Sequence, residues 1–111
     1  MKVKDIITIL KLKVFGGSQG LEREITGGYS SDLLSDVMGH ADTGKIWITL
    51  QTHKNVVAIA SLKDLAAVII IKGLEPDADM LAQAEEEGIP VLGTEDQAFE
   101  TTGKLFNILS Q

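Results

Sequence analysis

The sequence of 111 residues contains no cysteine, and this absence excludes several kinds of chemistry. Without thiols the chain has no disulfide framework, no thiolate nucleophile, no iron–sulfur cluster and no cysteine-ligated zinc. Basic residues are also scarce, because ten Lys and Arg stand against sixteen Asp and Glu, giving a net charge of −6. Proteins that bind phosphate backbones present a basic face. No cluster of Lys or Arg occurs here, so we expect no nucleic-acid partner.

Long hydrophobic runs are missing as well. The longest covers residues 65–71, whereas a helical membrane span needs about 20 apolar residues. Residues 1–5 include an acidic side chain and do not begin the apolar stretch of a signal peptide. We therefore expect a cytoplasmic protein with no membrane partner. The length is that of one domain, which would span residues 1–111.

Apolar residues recur with helical and strand periodicity along most of the chain. Their spacing predicts a helix over 3–12, and the Gly-rich segment 16–20 predicts a flexible loop. Residues 14 and 15, which precede that loop, are too few to predict a strand. Further strands are predicted at 24–29, 45–51, 67–71 and 89–92. The other helices are predicted from a Ser30 or Ser31 cap to about Gly39, at 56–66 after Asn55, at 76–87, and from a capping box at 94–97 through Leu109.

The alternation of strands with helices predicts an α/β domain built around a mostly parallel sheet. Residues 67–71 are apolar without interruption, which is typical of a strand covered on both faces. The first short strand, 24–29, is expected to form an antiparallel edge. In open sheets of this kind, ligands bind outside the carboxyl ends of the strands. The loops at those ends are 27–32, 51–55, 73–77 and 93–96.

The first candidate site is the segment TGGYSSD. Two glycines at a predicted strand end, followed by hydroxyl residues that open a helix, expose backbone N–H groups where phosphate or carboxylate binds. The amides of Gly27, Gly28 and Ser31 are expected to hold the anionic group. A tight turn with a serine helix cap needs the same residues, so that alternative stays open. The candidate ligand-binding residues in this segment are Thr26, Gly27, Gly28, Tyr29, Ser30, Ser31 and Asp32.

The second candidate segment, 51–55, follows the strand that carries Trp47. Gln51, Thr52 and His53 are expected to line the same crevice as the two glycines, with Gln51 and His53 orienting the ligand. A solvated loop that ends in an Asn55 helix cap explains these residues too. A small enzyme that acts on a phosphorylated metabolite, with His53 as acid or base, is the alternative function. No activated nucleophile accompanies His53 in the sequence, which disfavours that alternative.

Two further patterns carry no functional prediction. Residues 39–45 match the first seven positions of a phosphate-binding P-loop, but Ile46 follows where that motif needs Ser or Thr. A helix also precedes the pattern, whereas a P-loop follows a strand. Asp32, Asp36 and His40 are spaced to share one helix face, which suits part of a metal site, although a solvated helix face explains them better. The sequence therefore predicts no metal and no other cofactor.

Three blocks in order resemble the DRTGG domain family. They are ITGGYSSDLLSDVM at 25–38, IWITLQTH at 46–53 and LKDLA at 62–66, although the Asp-Arg of the family's namesake motif is not contiguous with Thr26 here. The resemblance implies a three-layer α/β/α domain with a mostly parallel sheet, similar to the N-terminal domain of HPr kinase/phosphorylase. It also implies regulation, ligand sensing or dimerisation, because family members accompany catalytic domains as accessory modules, for example in regulated pyrophosphatases.

We therefore predict a non-enzymatic regulatory or ligand-sensing module. Its ligand is expected to be a small anion or an adenine nucleotide bound at the strand-end loops. The hydrophobic fraction of 44% and the mean hydropathy of +0.15 are high for so small a domain. Together with the accessory role that the resemblance implies, they favour self-association as a homodimer. The sequence identifies no other protein partner.

Overall fold

Helices and strands alternate along the whole chain in the computed structural model, which describes residues 1–111. A short 3₁₀ turn, Ser18–Gly20, follows the first strand. The α-helices are α1 (Val3–Leu10), α2 (Leu34–His40), α3 (Lys54–Leu62), α4 (Ala78–Glu87) and α5 (Ala98–Leu109). The strands are β1 (Lys13–Gly16), β2 (Gly27–Ser30), β3 (Lys45–Thr49), β4 (Ala67–Ile70) and β5 (Val91–Gly93).

The five strands form one sheet in the order β1-β5-β4-β3-β2. Strands β2 to β5 are parallel, and only β1 runs antiparallel, against β5. The prediction of a mostly parallel sheet is confirmed. The prediction of an antiparallel edge at 24–29 is wrong, because β2 runs parallel to β3, with Gly27 beside Lys45 and Ser30 beside Ile48. The antiparallel edge is β1, which is stabilised by its pairing with β5 rather than by any local pattern.

Helices cover both faces of the sheet, so the predicted three-layer α/β/α architecture is confirmed. Helices α2, α3 and α4 pack on one face, over a buried cluster that includes Trp47 and Val68. Helices α1 and α5 pack on the other, over a cluster that includes Ile46 and Ile69. Neighbouring residues of β3 and β4 thus face opposite layers, which is why β4 is apolar throughout.

Helix α5 crosses back beneath the sheet after β5 and packs against β2 and β3. The three preceding helices connect neighbouring parallel strands and lie together on the opposite face, as consecutive right-handed crossovers require. The last helix therefore lies beside the glycine pair of β2, although the two segments are far apart in the sequence. This placement forms the groove described below.

The predicted hydroxyl caps do not form. Helix α2 begins at Leu34 rather than after Ser30 or Ser31, because the Ser31 hydroxyl accepts a hydrogen bond from the Leu33 N–H (3.2 Å) and keeps the chain extended there. The Thr94 hydroxyl likewise accepts from the Asp96 N–H (3.2 Å), and α5 begins at Ala98. Serine and threonine form such local turns as readily as helix caps.

Other helix predictions have mixed outcomes. Helix α4 begins after Asp77 and ends at Gly88, whose φ of 66° is the left-handed conformation that favours glycine, as predicted. Helix α3 starts at Lys54, so that His53 rather than Asn55 occupies the N-cap position. No helix in the structure combines the length and the apolar character that a membrane crossing needs.

Candidate functional site

A groove of about 510 Å³ separates β2 from α5. The main chain of β2 forms one wall, and one face of α5 forms the other. Side chains of Phe106 and Leu109 contribute apolar surface, and Lys45 contributes the only charged group. The lining residues are Thr26, Gly27, Gly28, Tyr29, Ser30, Lys45, Ile48, Thr102, Leu105, Phe106, Leu109 and Ser110.

The glycine pair lets Leu105 of α5 and the Lys45 side chain lie close to the main chain of β2. A Cβ atom on Gly28 would lie 3.1 Å from Cδ2 of Leu105, and one on Gly27 would lie 2.9 Å from Nζ of Lys45. Both substitutions would therefore fill space that α5 and the lysine now occupy. Strand β2 is also an edge of the sheet, and the outer side of an edge strand leaves backbone N–H and C=O groups without ladder partners. The glycines do expose main chain, but in a strand rather than at a helix start.

Lys45 is the ionic group of the groove. The Nζ of Lys45 lies over Gly27. The carboxylate nearest to this Nζ is that of Asp42, at 3.9 Å, and the Asp42 side chain is 77% exposed. An ion pair this long and this exposed contributes little to stability. The ammonium of Lys45 is therefore available to a ligand. The hydroxyls of Ser30 and Thr102 form a hydrogen bond with each other (2.7 Å) in the groove lining, in which either can be the donor. One cation, paired hydroxyls and an apolar wall suit an anionic ligand with an apolar portion.

Asp32 and Gln51 lie at the opposite end of β3 and are engaged with each other. One carboxylate oxygen of Asp32 accepts hydrogen bonds from the Thr49 hydroxyl (2.9 Å) and the Leu50 N–H (2.8 Å). The side-chain amide of Gln51 donates to the Asp32 carbonyl (3.0 Å). These bonds join the segment before α2 to the end of β3. Asp32 and Gln51 therefore position this corner of the fold.

Ser31, Thr52 and His53 belong to the same corner. The Trp47 indole donates to the Ser31 carbonyl (2.7 Å), and the Thr52 carbonyl accepts from the Asp77 N–H (2.9 Å). His53 stands at the start of α3, and its Nδ1 is buried without a hydrogen-bond partner. No carboxylate orients this imidazole, so the geometry gives no support to its use as an acid or base.

The two predicted segments do not form one crevice. Gly28 pairs with Ile46 near the amino end of β3, whereas Gln51 follows its carboxyl end. At the rise of an extended chain this separates the glycines from Gln51 by roughly 15 Å. The expectation of a shared crevice is therefore wrong. The groove gathers Thr26 to Ser30, and the opposite corner holds the other predicted residues, Ser31, Asp32, Gln51, Thr52 and His53.

Sequence reasoning missed Lys45 and the whole contribution of α5. Lys45 was predicted as the first residue of the strand 45–51 and as the end of a rejected P-loop pattern. Neither pattern showed that this strand lies beside the edge strand β2. Thr102, Leu105 and Phe106 look like ordinary helix residues in the sequence. Their role depends on which strand α5 covers, and no local pattern encodes that choice.

A third polar cluster links β2 to α2. The Tyr29 hydroxyl donates to Asp36 Oδ1 (2.9 Å), and His40 Nδ1 lies 3.2 Å from the same oxygen. Hydrogen bonds from the hydroxyls of Ser31 and Tyr29, together with the nearby His40, lower the pKa of the Asp36 carboxyl, while Asp36 raises the pKa of Tyr29. Asp32 points to β3 instead. No three His, Asp or Glu side chains are gathered in a geometry that suits a metal ion.

The three-layer order, the antiparallel edge strand and the groove under α5 define a small three-layer α/β domain. The sequence model of the DRTGG domain matches residues 5–108, and the chain belongs to the DRTGG domain family. Among proteins with curated descriptions, none matches the chain.

A solved structure has a similar fold. It contains the CBS and DRTGG domains of the regulatory region of Clostridium perfringens pyrophosphatase, in complex with the activator diadenosine tetraphosphate. The TM-score is 0.67, with 15% identical residues, over 95% of this chain and 45% of that one. At this identity the likeness shows the fold. The present chain spans less than half the length of that regulatory region.

Proposed function

We propose that this DRTGG domain is a non-enzymatic regulatory module that binds a small anionic ligand in the groove between β2 and α5. The observation that carries the proposal is Lys45. Its ammonium is the only charge in the groove lining, it lies over the bare main chain of Gly27, and it has no close carboxylate partner. An anion bound there meets a positive charge, two hydroxyls and no acidic side chain.

An adenine nucleotide is the ligand class we propose first. The groove volume of about 510 Å³ lies within the range of pockets that hold small molecules. The apolar surface of Phe106 and Leu109 suits a base, and Lys45 with the hydroxyls of Ser30 and Thr102 suits a phosphate. The adenine nucleotide that activates the structurally similar pyrophosphatase region supports the same class. In this proposal Asp32 and Gln51 position the corner of the fold rather than contact the ligand.

Calorimetry and thermal unfolding test the ligand site. The probes are ADP, ATP, diadenosine tetraphosphate and inorganic phosphate. A ligand at 100 times its dissociation constant should stabilise the protein by about 2.7 kcal/mol. For a chain of 111 residues, with an unfolding entropy of about 2.1 cal/mol/K per residue, this raises Tm by roughly 12 °C.

Two variants locate the site. Lys45→Met should weaken binding by about tenfold or more, because a charged hydrogen bond contributes roughly 1.5–3 kcal/mol. Lys54→Met is the matched control, since it removes the same charge from an exposed position at the start of α3. Gly28→Val should also block binding, because the added side chain enters the groove. Equal affinity of the wild type and Lys45→Met, or no stabilisation by any probe, would contradict the proposal.

The second part of the proposal is self-association as a homodimer. Two aromatic side chains on α5, Phe99 and Phe106, are 87% and 73% exposed. Exposed apolar patches on a small domain mark interaction surfaces, and the accessory role of DRTGG domains fits a module that brings chains together. Light scattering at high micromolar concentration should give twice the chain mass of 11.9 kDa. A monomer throughout that range would contradict this part.

A further inference from the structure

We propose that the homodimer forms through α5, in an antiparallel helix pair whose two-fold axis passes beside Gly103. In this dimer the exposed face of α5 packs against α5 of a second copy of the chain. This inference rests on the self-association proposed above and specifies its surface. It does not depend on the ligand proposal, although Phe106 lines both the groove and this face of α5.

The exposed face of α5 is an apolar stripe. Phe99, Gly103 and Phe106 follow one another at helical spacing, and with Ala98 and Thr102 they line a shallow, almost wholly apolar depression. Nothing within the chain covers either phenylalanine, since Phe99 is 87% exposed and Phe106 is 73% exposed. The elements around this helix therefore leave its outer face without a partner.

Gly103 has no explanation within a single chain. It lies in the interior of α5, where glycine is the least favourable residue after proline. A Cβ atom at this position would meet no atom within 4 Å, so the fold of the chain does not require glycine here. A missing side chain here lets the backbone of a second helix come close. Gly39 of α2 is equally free of contacts, but it does not lie between two exposed aromatic side chains. The stripe thus carries its smallest residue between its two largest.

The stripe is self-complementary under a two-fold rotation. Phe99 lies four residues before Gly103 and Phe106 lies three after it, so the midpoint falls between Thr102 and Gly103. Rotation about that midpoint places Phe99 of one copy against Phe106 of the other, and the contact occurs twice. Homodimer interfaces with two-fold symmetry need such a self-complementary patch, whereas an unrelated partner does not. In this arrangement a second copy covers both phenylalanines of each chain, and it is the partner we propose for this face.

Charges beside the stripe are complementary in the same arrangement. Glu100 and Lys104 lie on one flank of α5, one helical turn apart. In an antiparallel pair related by a two-fold axis, equal flanks meet, so Glu100 of each copy lies alongside Lys104 of the other. Lys104 already binds Asp96 of its own chain at 2.7 Å. In the dimer it stands between two carboxylates, which offsets part of the repulsion between chains that each carry a charge of −6.

The exposed area is sufficient for a weak dimer. A phenylalanine side chain buries about 150–250 Å² when fully covered. At exposures of 87% and 73%, the four rings of a pair contribute on the order of 600 Å². Standard interfaces bury about 1,600 Å² in total. The rings thus supply more than a third of that area before the flanking residues are counted, which is consistent with a micromolar dissociation constant.

Cysteine cross-linking tests the geometry directly, because the chain contains no native cysteine. Helices that pack at about 8 Å bring the Cα atoms at position 103 within the 4.4–6.8 Å that a disulfide needs. Gly103→Cys should therefore form an intermolecular disulfide under mild oxidation. The control is Glu86→Cys, at an exposed position of α4 on the opposite layer. We expect cross-linking at position 103 to be about tenfold faster or more.

Phe106→Glu provides the second measurement. The substitution is on an exposed side chain, so circular dichroism should be unchanged, and the dimer dissociation constant should rise about 30-fold. A wild-type monomer in light scattering would overturn both self-association and this inference. A wild-type dimer that persists in Phe106→Glu, with cross-linking no faster at position 103 than at the control, would overturn the α5 interface and leave self-association intact.

Discussion

Replacement of Asp32 by alanine distinguishes a residue that holds the fold from one that holds a ligand. One oxygen of its carboxylate accepts hydrogen bonds from the Thr49 hydroxyl (2.9 Å) and the Leu50 N–H (2.8 Å). Thr49 is 1% exposed, so its hydroxyl has no access to water as a substitute partner. The Leu50 N–H lies in an exposed bond and becomes hydrated when the carboxylate is removed. The cost therefore arises mainly at Thr49.

The magnitude follows from that buried hydroxyl. A buried donor that loses its acceptor costs roughly 1–3 kcal/mol. The Thr49 oxygen still accepts from the Gln51 N–H (3.2 Å), but its hydrogen is left without a partner. We expect Asp32→Ala to lower the free energy of unfolding by about 2 kcal/mol. With an unfolding entropy of about 0.23 kcal/mol/K for 111 residues, this lowers Tm by about 9 °C.

Urea and thermal unfolding of three variants measure this effect. Asp32→Asn keeps an acceptor oxygen and should lose less than half as much stability. Asp42→Ala removes the same charge from a side chain that is 77% exposed and should stay close to the wild type. If Asp32→Ala has wild-type stability but no longer responds to nucleotide, the assignment of Asp32 to the fold is refuted and it belongs to the ligand site.

The pKa of Asp36 is lowered in the folded chain. Its contribution to the free energy of unfolding is therefore complete above the ordinary pKa of 3.8 and is lost as pH falls through the lower folded pKa. Urea titrations of Asp36→Asn should lack that acid-dependent loss. Gly17→Ala should cost about 3 kcal/mol, because φ is 73° and the new methyl collides with backbone, whereas Gly39→Ala, with open space around it, should stabilise α2 by roughly 0.5–1 kcal/mol. Because Phe106 lines both the groove and the α5 stripe, ligand should shift dimerisation in sedimentation experiments. By reciprocity, the dimer and the monomer should differ in ligand affinity by the same factor, and equal ligand affinities of wild-type dimer and monomeric Phe99→Glu would show that the sites are independent.

Local periodicity was sufficient to predict most elements. Alternation along 45–51 placed Ile46 and Ile48 on one face and Trp47 on the other, and the buried clusters confirm this division. The errors in the predicted elements occurred where one local sequence pattern fits two different structures. The hydroxyls of Ser31 and Thr94 each accept a hydrogen bond from the backbone N–H two residues later and so form a local turn instead of a helix cap. A turn and a cap use the same hydroxyl, so the sequence does not distinguish them. β1 escaped prediction because a strand of four residues is defined by its partner.

The sequence alone determined the layered α/β class and the family, because both depend on patterns between neighbouring residues. It also determined that main chain would be bare at Gly27 and Gly28, since no side chain is present there. Only the tertiary structure decided that α5 and Lys45 lie over those glycines, and that His53 does not. That choice depends on which strand a helix covers, and contacts between segments far apart in sequence are selected by packing of the whole core rather than by any local preference.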